Sequence, residues 1–436
     1  MKTVDSIMHG GWVMPQPTME PLRDHALVIN EGIILDVLPS DQAKHQYLAD
    51  ENIVLKNHVL MPGLINTHGH AAMSLLRGYA DDLELHRWLN KHIWPAEKTI
   101  LSHQFVYEGT CFAIAEMIRS GTTCFSDMYF FPEACIDAIR MSGMRAQVAP
   151  CLLDWPSAWS AAENYFDKVS MAREYAVNDE RITFAVAPHA PYTVNDANFK
   201  QCLEYSLEHD LPLQLHLHET QKAVNDASVA TGKRPLERLL ELGVITNKAQ
   251  LVHMTALTDK EINQISAAGA SVLHCPKSNL KLASGIAAVQ KLIDAGVNVA
   301  LGTDGGASNN ALDMFSELQY AAMIGKVCSA DATAMSAATV LHMATTSAAR
   351  ALGLDTLTGS LVAGKQADFI AVRLDQVEQL PLFNIQSQLV YTQSASNVTH
   401  MWVGGQCLMK DRKLNTLDET EIKNFALKWQ KVLLDA

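Results

Sequence analysis

Leu60-Met61-Pro62-Gly63-Leu64-Ile65-Asn66-Thr67-His68-Gly69-His70 is the stretch on which the reading of the fold turns. A Pro-Gly break leads into a short apolar run, and the run ends in two histidines two positions apart. In an extended strand, residues i and i+2 share a face. His68 and His70 would then project together from the end of a buried strand, which suits two imidazoles closing on one metal ion. By itself the pair says little, because the chain has 436 residues and 17 histidines. Its weight comes from the pattern of the residues downstream.

After residue 70, short apolar runs alternate with amphipathic stretches. Strands are expected at 62–68, 121–127, 145–152, 182–188, 212–218, 249–253, 270–274 and 297–303, and helices at 102–119, 162–176, 195–209, 234–242, 258–268 and 286–295. Nearly all-apolar strands bounded by glycine and alternating with helices predict a parallel sheet covered on both faces. Eight such units predict an α/β fold, a closed (β/α)8 TIM-like barrel. Residues 71–120 are more than one crossover needs and read as a helical insertion after the first strand. Outward from the barrel, both ends are β-rich. Residues 28–37 read as a hairpin around Glu31-Gly32, 367–372 and 398–406 read as strands, and a closing helix is expected near 418–434. The expected division is a small β-sandwich domain from 1–61 and 359–436, with the barrel occupying 62–358.

Composition narrows the function. Hydrophobic residues make up 48% and charged residues 19%, which is ordinary for a globular protein. A formal charge of −13 disfavours nucleic acid, which selects basic surfaces. A neutral small molecule, or one with a cationic part, is the expected partner. The start lacks the apolar core of a signal peptide, and no run of about 18 apolar residues exists, so no membrane span is expected. Eight scattered cysteines without a Cys-x-x-Cys pair predict free thiols in a reducing, cytoplasmic setting.

The chemistry-bearing residues fall at strand ends. His68 and His70 end the first strand, His189 follows the fourth, His216, His218 and Glu219 end the fifth, His253 ends the sixth and Asp304 the eighth. In an α/β barrel these ends form the face where active-site loops gather. One such histidine is usually structural; five strand ends with the same bias point to a site.

These residues sit in longer motifs: Pro62-Gly63-Leu64-Ile65-Asn66-Thr67-His68-Gly69-His70, Trp94-Pro95-Ala96-Glu97, His216-Leu217-His218-Glu219, His274-Cys275-Pro276-Lys277-Ser278-Asn279, Thr303-Asp304-Gly305-Gly306-Ala307-Ser308-Asn309-Asn310 and Gly359-Ser360-Leu361-Val362-Ala363-Gly364-Lys365-Gln366-Ala367-Asp368. With them the chain resembles the amidohydrolase superfamily, and within it the 5-methylthioadenosine/S-adenosylhomocysteine deaminases. The resemblance implies that His68, His70, His216 and Asp304 hold one divalent metal. Three imidazoles and a carboxylate suit zinc, and nickel or iron accept the same ligand types. Some relatives bridge two metals with a carboxylated lysine after strand four; residues 181–188 contain no lysine, so a single ion is expected. Strand parity leaves His216 and His218 in competition, and the family's His-x-x-Glu spacing selects His216 with Glu219.

The same resemblance implies a metal-activated water as nucleophile. Asp304 would take its proton, His253 would hydrogen-bond the attacking oxygen, and Glu219 would protonate N1 of an adenine ring as C6 is attacked. Glu97 would hold the ribose hydroxyls, and His189 would hold substrate with Glu219 and Asp304. Met73, Leu76, Trp88 and Trp94 are candidates for an apolar 5′-thio pocket. Some relatives also place an arginine after strand three. Here Ala149-Pro150-Cys151-Leu152-Leu153-Asp154-Trp155 has none, which favours 5′-methylthioadenosine, with adenosine or S-adenosylhomocysteine as further substrates. The runner-up is a deaminase or chlorohydrolase of another heterocycle, guanine or a triazine. A non-catalytic scaffold is remote, since no metal ligand is missing. Barrels of this sort often form homo-oligomers, though no surface pattern here argues for one.

Overall fold

In the computed structural model, which describes residues 1–392 and 394–435, the stretch ending in His68-Gly69-His70 forms a wholly buried strand, β1 (Leu64–Gly69). Seven more complete the set: β2 (Thr122–Tyr129), β3 (Arg145–Leu152), β4 (Ile182–Phe184, resuming at Ala187–Pro188), β5 (Leu213–Leu217), β6 (Ala249–His253), β7 (Ser271–His274) and β8 (Asn298–Leu301). Every ladder among them is parallel. Left-handed glycines set two of the entries. Gly121 (φ 89°) ends the helix His103–Ser120 and turns the chain into β2; Gly143 (φ 79°) ends Pro132–Ser142 and leads into β3.

The strands form a TIM-barrel-like ring, but the ladders do not close it. They make two four-stranded runs, β1-β2-β3-β4 and β5-β6-β7-β8. One isolated bridge, Val186 with Leu213, joins the runs at β4/β5. At the other seam, side chains of β1 reach across to the end of β8. Asn66 Nδ2 donates to Thr303 Oγ1 at 2.7 Å, Thr303 N donates to Asn66 Oδ1 at 2.9 Å, and Thr67 Oγ1 donates to Leu301 O at 2.8 Å. Asp304 N donates to His68 O at 3.0 Å. Past the end of β8 the chain turns out of strand geometry, with Asp304 at φ 61°.

Both ends of the chain contribute to one nine-stranded mixed sheet. Its backbone is two long parallel strands, Lys2–Val13 and Tyr47–Pro62; Phe369–Arg373 pairs antiparallel with the second of these. In its hydrogen bonding this terminal β region is one continuous sheet. The hairpin near 28–37 is present as His25–Asn30 and Ile33–Pro39. Glu31 (φ 52°) and Gly32 (φ 73°) make its turn, with the two positive φ angles that tight hairpins favour. The closing helix is Glu419–Leu434, whose Trp429 Nε1 donates to Glu108 Oε2 at 2.5 Å on the helix His103–Ser120.

The insertion after β1 is helical, in short pieces: Ala71–Leu76, Leu85–Trp88, a π-helical turn at Leu89–Ile93, and Trp94–Ile100. All eight cysteines are free. Among the described residues no helix is long and apolar enough to cross a membrane.

One buried ion pair ties the terminal sheet to the ring. Arg145 of β3 donates Nε to Asp368 Oδ2 at 2.8 Å and Nη2 to Oδ1 at 3.2 Å, with both side chains at most 3% exposed. Asp368 Oδ1 also accepts from Gly404 N at 2.6 Å. Removing one partner strands the other charge in the interior. Asp368→Ala is expected to lower the unfolding free energy by about 3–5 kcal/mol in chemical denaturation. The double replacement Arg145→Met with Asp368→Leu should recover much of that loss; equal instability of the single and double variants would count against a charge-burial origin.

Candidate functional site

Residues from β1, β5 and the turn after β8 meet at one point of the rim. His68, His70, His216 and Asp304 each offer a ligand atom, and these atoms lie within 4.8 Å of one another. Each imidazole is oriented through its other nitrogen. His68 Nδ1 donates to Gln214 Oε1 at 2.8 Å, His70 Nδ1 to Met128 O at 2.6 Å, and His216 Nδ1 to His189 O at 2.9 Å. With Nδ1–H committed to an oxygen, each ring turns an Nε2 lone pair inward. His68 and His216 Nε2 face each other at 3.1 Å, and Asp304 Oδ1 lies 3.5 Å from His68 Nε2 and 3.2 Å from His70 Nε2.

The charges around this point call for a cation. Burial lowers the pKa of His68 and takes that of His216 well below the usual imidazole range, so both rings are neutral, the ligand form. Burial also opposes charge on His70, yet its hydrogen bond to Asp304 and that carboxylate's charge lift it to about 9. A carboxylate that draws a proton onto one of three converging imidazoles is drawing positive charge into the centre. A divalent ion answers the same demand, and three imidazole nitrogens with one carboxylate oxygen are a donor set suited to zinc.

Asp304 is held hard in place. Its Oδ2 accepts from Ser278 Oγ at 2.5 Å and Ser308 Oγ at 2.9 Å, leaving Oδ1 toward the histidines. Gln214 is likewise pinned, donating to Gln250 Oε1 at 2.7 Å and Ser126 Oγ at 3.1 Å. Asp127 accepts from Ala71 N at 2.6 Å and fixes the turn just past His70.

A cavity of about 740 Å³ opens over this point, bordered by His70, His189, His216, Glu219, His253 and Asp304. Glu219 is buried, and its Oε2 lies 3.9 Å from His253 Nε2. Burial, then the negative charge of Asp304, pushes its carboxyl up to about 8. His253 Nδ1 donates to Asn279 Oδ1 at 2.9 Å, so Nε2 is the nitrogen free toward the cavity. Glu97, on Trp94–Ile100, lines the wall and accepts from Tyr129 OH at 2.5 Å. His189 lines it too, its Nδ1 bonded to Thr193 Oγ1 at 2.9 Å.

His218 is not part of the site. Its φ of 50° turns it off the face that parity gives it; its Nε2 accepts from Leu236 N at 3.2 Å and its Nδ1 meets Ala256 O at 3.1 Å. Met73, Trp88 and Trp94 line the cavity as expected. Leu76 does not: it is 1% exposed and packs into the main core. Sequence reasoning missed Gln214, Ser278, Ser308, Tyr129 and Trp155. Gln214 carried a usable signal, standing two residues before His216 on the same strand face. Ser278 and Ser308 lay inside the family-like motifs without a role. Tyr129 and Trp155 carried none.

The sequence pattern of the amidohydrolase family matches residues 59–408. The chain belongs to the amidohydrolase family. Among its relatives, a 5-methylthioadenosine/S-adenosylhomocysteine deaminase of Saccharophagus degradans is 46% identical over 98% of this chain and 96% of its own. A 5′-deoxyadenosine deaminase of Methanosarcina barkeri is 39% identical over 97% of each chain. Among solved structures, an adenosine deaminase from Xanthomonas campestris with bound zinc superposes with a TM-score of 0.98, at 42% identity over 100% of both chains.

Metal analysis of the purified protein should find close to one zinc per chain. Gln214→Leu removes the acceptor that orients His68 and should weaken metal affinity about 10–100-fold in a chelator competition. Unchanged affinity would show that Gln214 does not hold the ligand.

Proposed function

We propose that this chain is a zinc-dependent deaminase that hydrolyses the C6 amino group of an adenosine-type nucleoside, with 5′-methylthioadenosine as its preferred substrate and the inosine-type nucleoside and ammonia as products. The observation that carries this is the pairing of a His/His/His/Asp centre with a buried acid, Glu219, inside one cavity. The deaminase relatives point the same way. The ion, held by His68, His70, His216 and Asp304, supplies an acidified water as nucleophile.

The chain's own residues do the rest. Glu219, with its carboxyl raised to about 8, holds a proton at neutral pH and can hand it to N1 of the ring as C6 is attacked. Asp304, with Oδ2 held by two serine hydroxyls and Oδ1 facing His68 and His70, is the carboxylate at the centre that would take the proton of the attacking water. His253 Nε2 is available to the attacking oxygen. Glu97 accepts one hydrogen bond from Tyr129, and among the described residues its Oε2 has no protein donor, which suits a pair of ribose hydroxyls. His189 borders the same space and is kept neutral by burial, with a pKa near 3. The same reading divides the chain into a barrel, 62–358, and a small β-sandwich domain from 1–61 and 359–436. Glu97 favours a riboside over a free base or a triazine, which have no hydroxyl pair to offer it.

Zinc-loaded protein should convert 5′-methylthioadenosine with a fall in adenine absorbance and release of ammonia. Glu219→Gln should cut kcat about 10²–10⁴-fold with metal content unchanged. An acid is competent only while protonated, so kcat/KM should fall as pH rises through about 8, and the positive charge of the ion moves that limb down, never up. A profile flat to pH 10 would remove Glu219 as the acid. Glu97→Ala should weaken ribosides far more than free adenine; equal losses would end the ribose role.

A further inference from the structure

Beyond Glu97 the cavity wall changes character. Trp94 lies nearly one helical turn before Glu97 on the same helix, and both border the cavity. Across the opening, the loop after β3 brings Trp155, whose ring meets that of Trp94 edge-on with centroids 6.1 Å apart. Trp155 is 43% exposed, and among the described residues its indole makes no hydrogen bond. A large apolar ring left partly bare at a cavity mouth is a surface waiting for an apolar contact. Lys98 is the one lysine or arginine bordering this cavity among the described residues; it is exposed and has no ion-pair partner there.

We propose that Trp155, backed by Trp94, is the specificity-determining residue for the substrate's 5′ group, selecting a short neutral thioether or alkyl substituent over a carboxylate-bearing tail. This rests on the nucleoside reading above. A nucleoside whose base meets Glu219 and Asp304 and whose hydroxyls meet Glu97 presents its 5′ carbon to the wall past Glu97, where the two indoles stand. A thioether sulfur gains contact energy against aromatic edges. A carboxylate at the same place loses water and meets two apolar rings, without a buried cation to compensate. The two indoles and the lack of a buried cation beside them thus suit a neutral 5′ substituent.

The test is a panel of 5′-methylthioadenosine, 5′-deoxyadenosine, adenosine and S-adenosylhomocysteine on zinc-loaded wild type, Trp155→Ala, Trp155→Arg and Lys98→Ala. Metal content and Tm are measured alongside, to separate damage to the fold from changed selectivity. Wild type should prefer the methylthio and deoxy substrates. Trp155→Ala should lower kcat/KM for methylthioadenosine about tenfold or more, chiefly through KM, with a smaller loss on adenosine, in line with one or two apolar groups in a pocket. Trp155→Arg should raise S-adenosylhomocysteine relative to methylthioadenosine by about tenfold. Equal losses on methylthioadenosine and adenosine would overturn the assignment. So would a wild type that accepts S-adenosylhomocysteine equally well and loses it in Lys98→Ala. In both cases the deaminase reading stands. A wild type that deaminates none of the four overturns both.

Discussion

Three imidazoles commit their Nδ1–H groups to oxygen acceptors and thereby turn three Nε2 atoms toward one point beside the carboxylate of Asp304. That convergence is the constraint on which the rest depends. Lone pairs 3.1 Å apart repel unless positive charge lies between them. Buried polar groups are tolerated only when their remaining hydrogen bonds are made. Gln214, Ser278 and Ser308 are therefore part of the centre although none of them offers it a ligand atom. They determine which atom of each ligand residue looks inward.

The ring and its attachments divide the labour. The strands hold the ligand residues, and the insertion with the loop after β3 supplies much of the cavity wall above them. Strain collects where the two meet. His218, His253 and Asp304 all adopt positive φ at strand ends, conformations that cost energy for residues with a Cβ and that the surrounding hydrogen bonds hold in place. Among the described residues no ladder forms between β1 and the end of β8. Asn66 and Thr67 take over the seam, and His68 comes to lie beside Asp304 across it. The Arg145–Asp368 pair anchors the terminal sheet to the outer end of this scaffold.

Much of this was readable residue by residue. All eight strands occur close to the positions that the apolar runs gave, because a strand buried on both faces leaves an unmistakable run of apolar side chains. The metal-binding residues were readable for the same reason, as polar interruptions at the ends of such runs. The failures share one cause: they concern contacts across space. Leu76 and Trp155 are both large apolar residues near the site, but one packs inward and the other lines the mouth. Parity alone left His216 and His218 on one face; the His-x-x-Glu spacing chose His216, and a backbone turn at His218 carries the other ring away. The expected closed ring assumed continuous ladders, which hydrogen bonding over long sequence distances decides.

By itself, then, the chain's order of residues determined which segments are strands, which polar residues end them, and that these gather on one rim, because periodicity and polar interruption are local properties. Only the tertiary structure decided which nitrogen of each histidine faces inward, which side chains hold the ligand residues from behind, and which aromatic rings border the cavity. Those outcomes depend on partners supplied by distant strands, and no local pattern encodes a hydrogen bond between residues 146 positions apart, such as that joining His68 to Gln214.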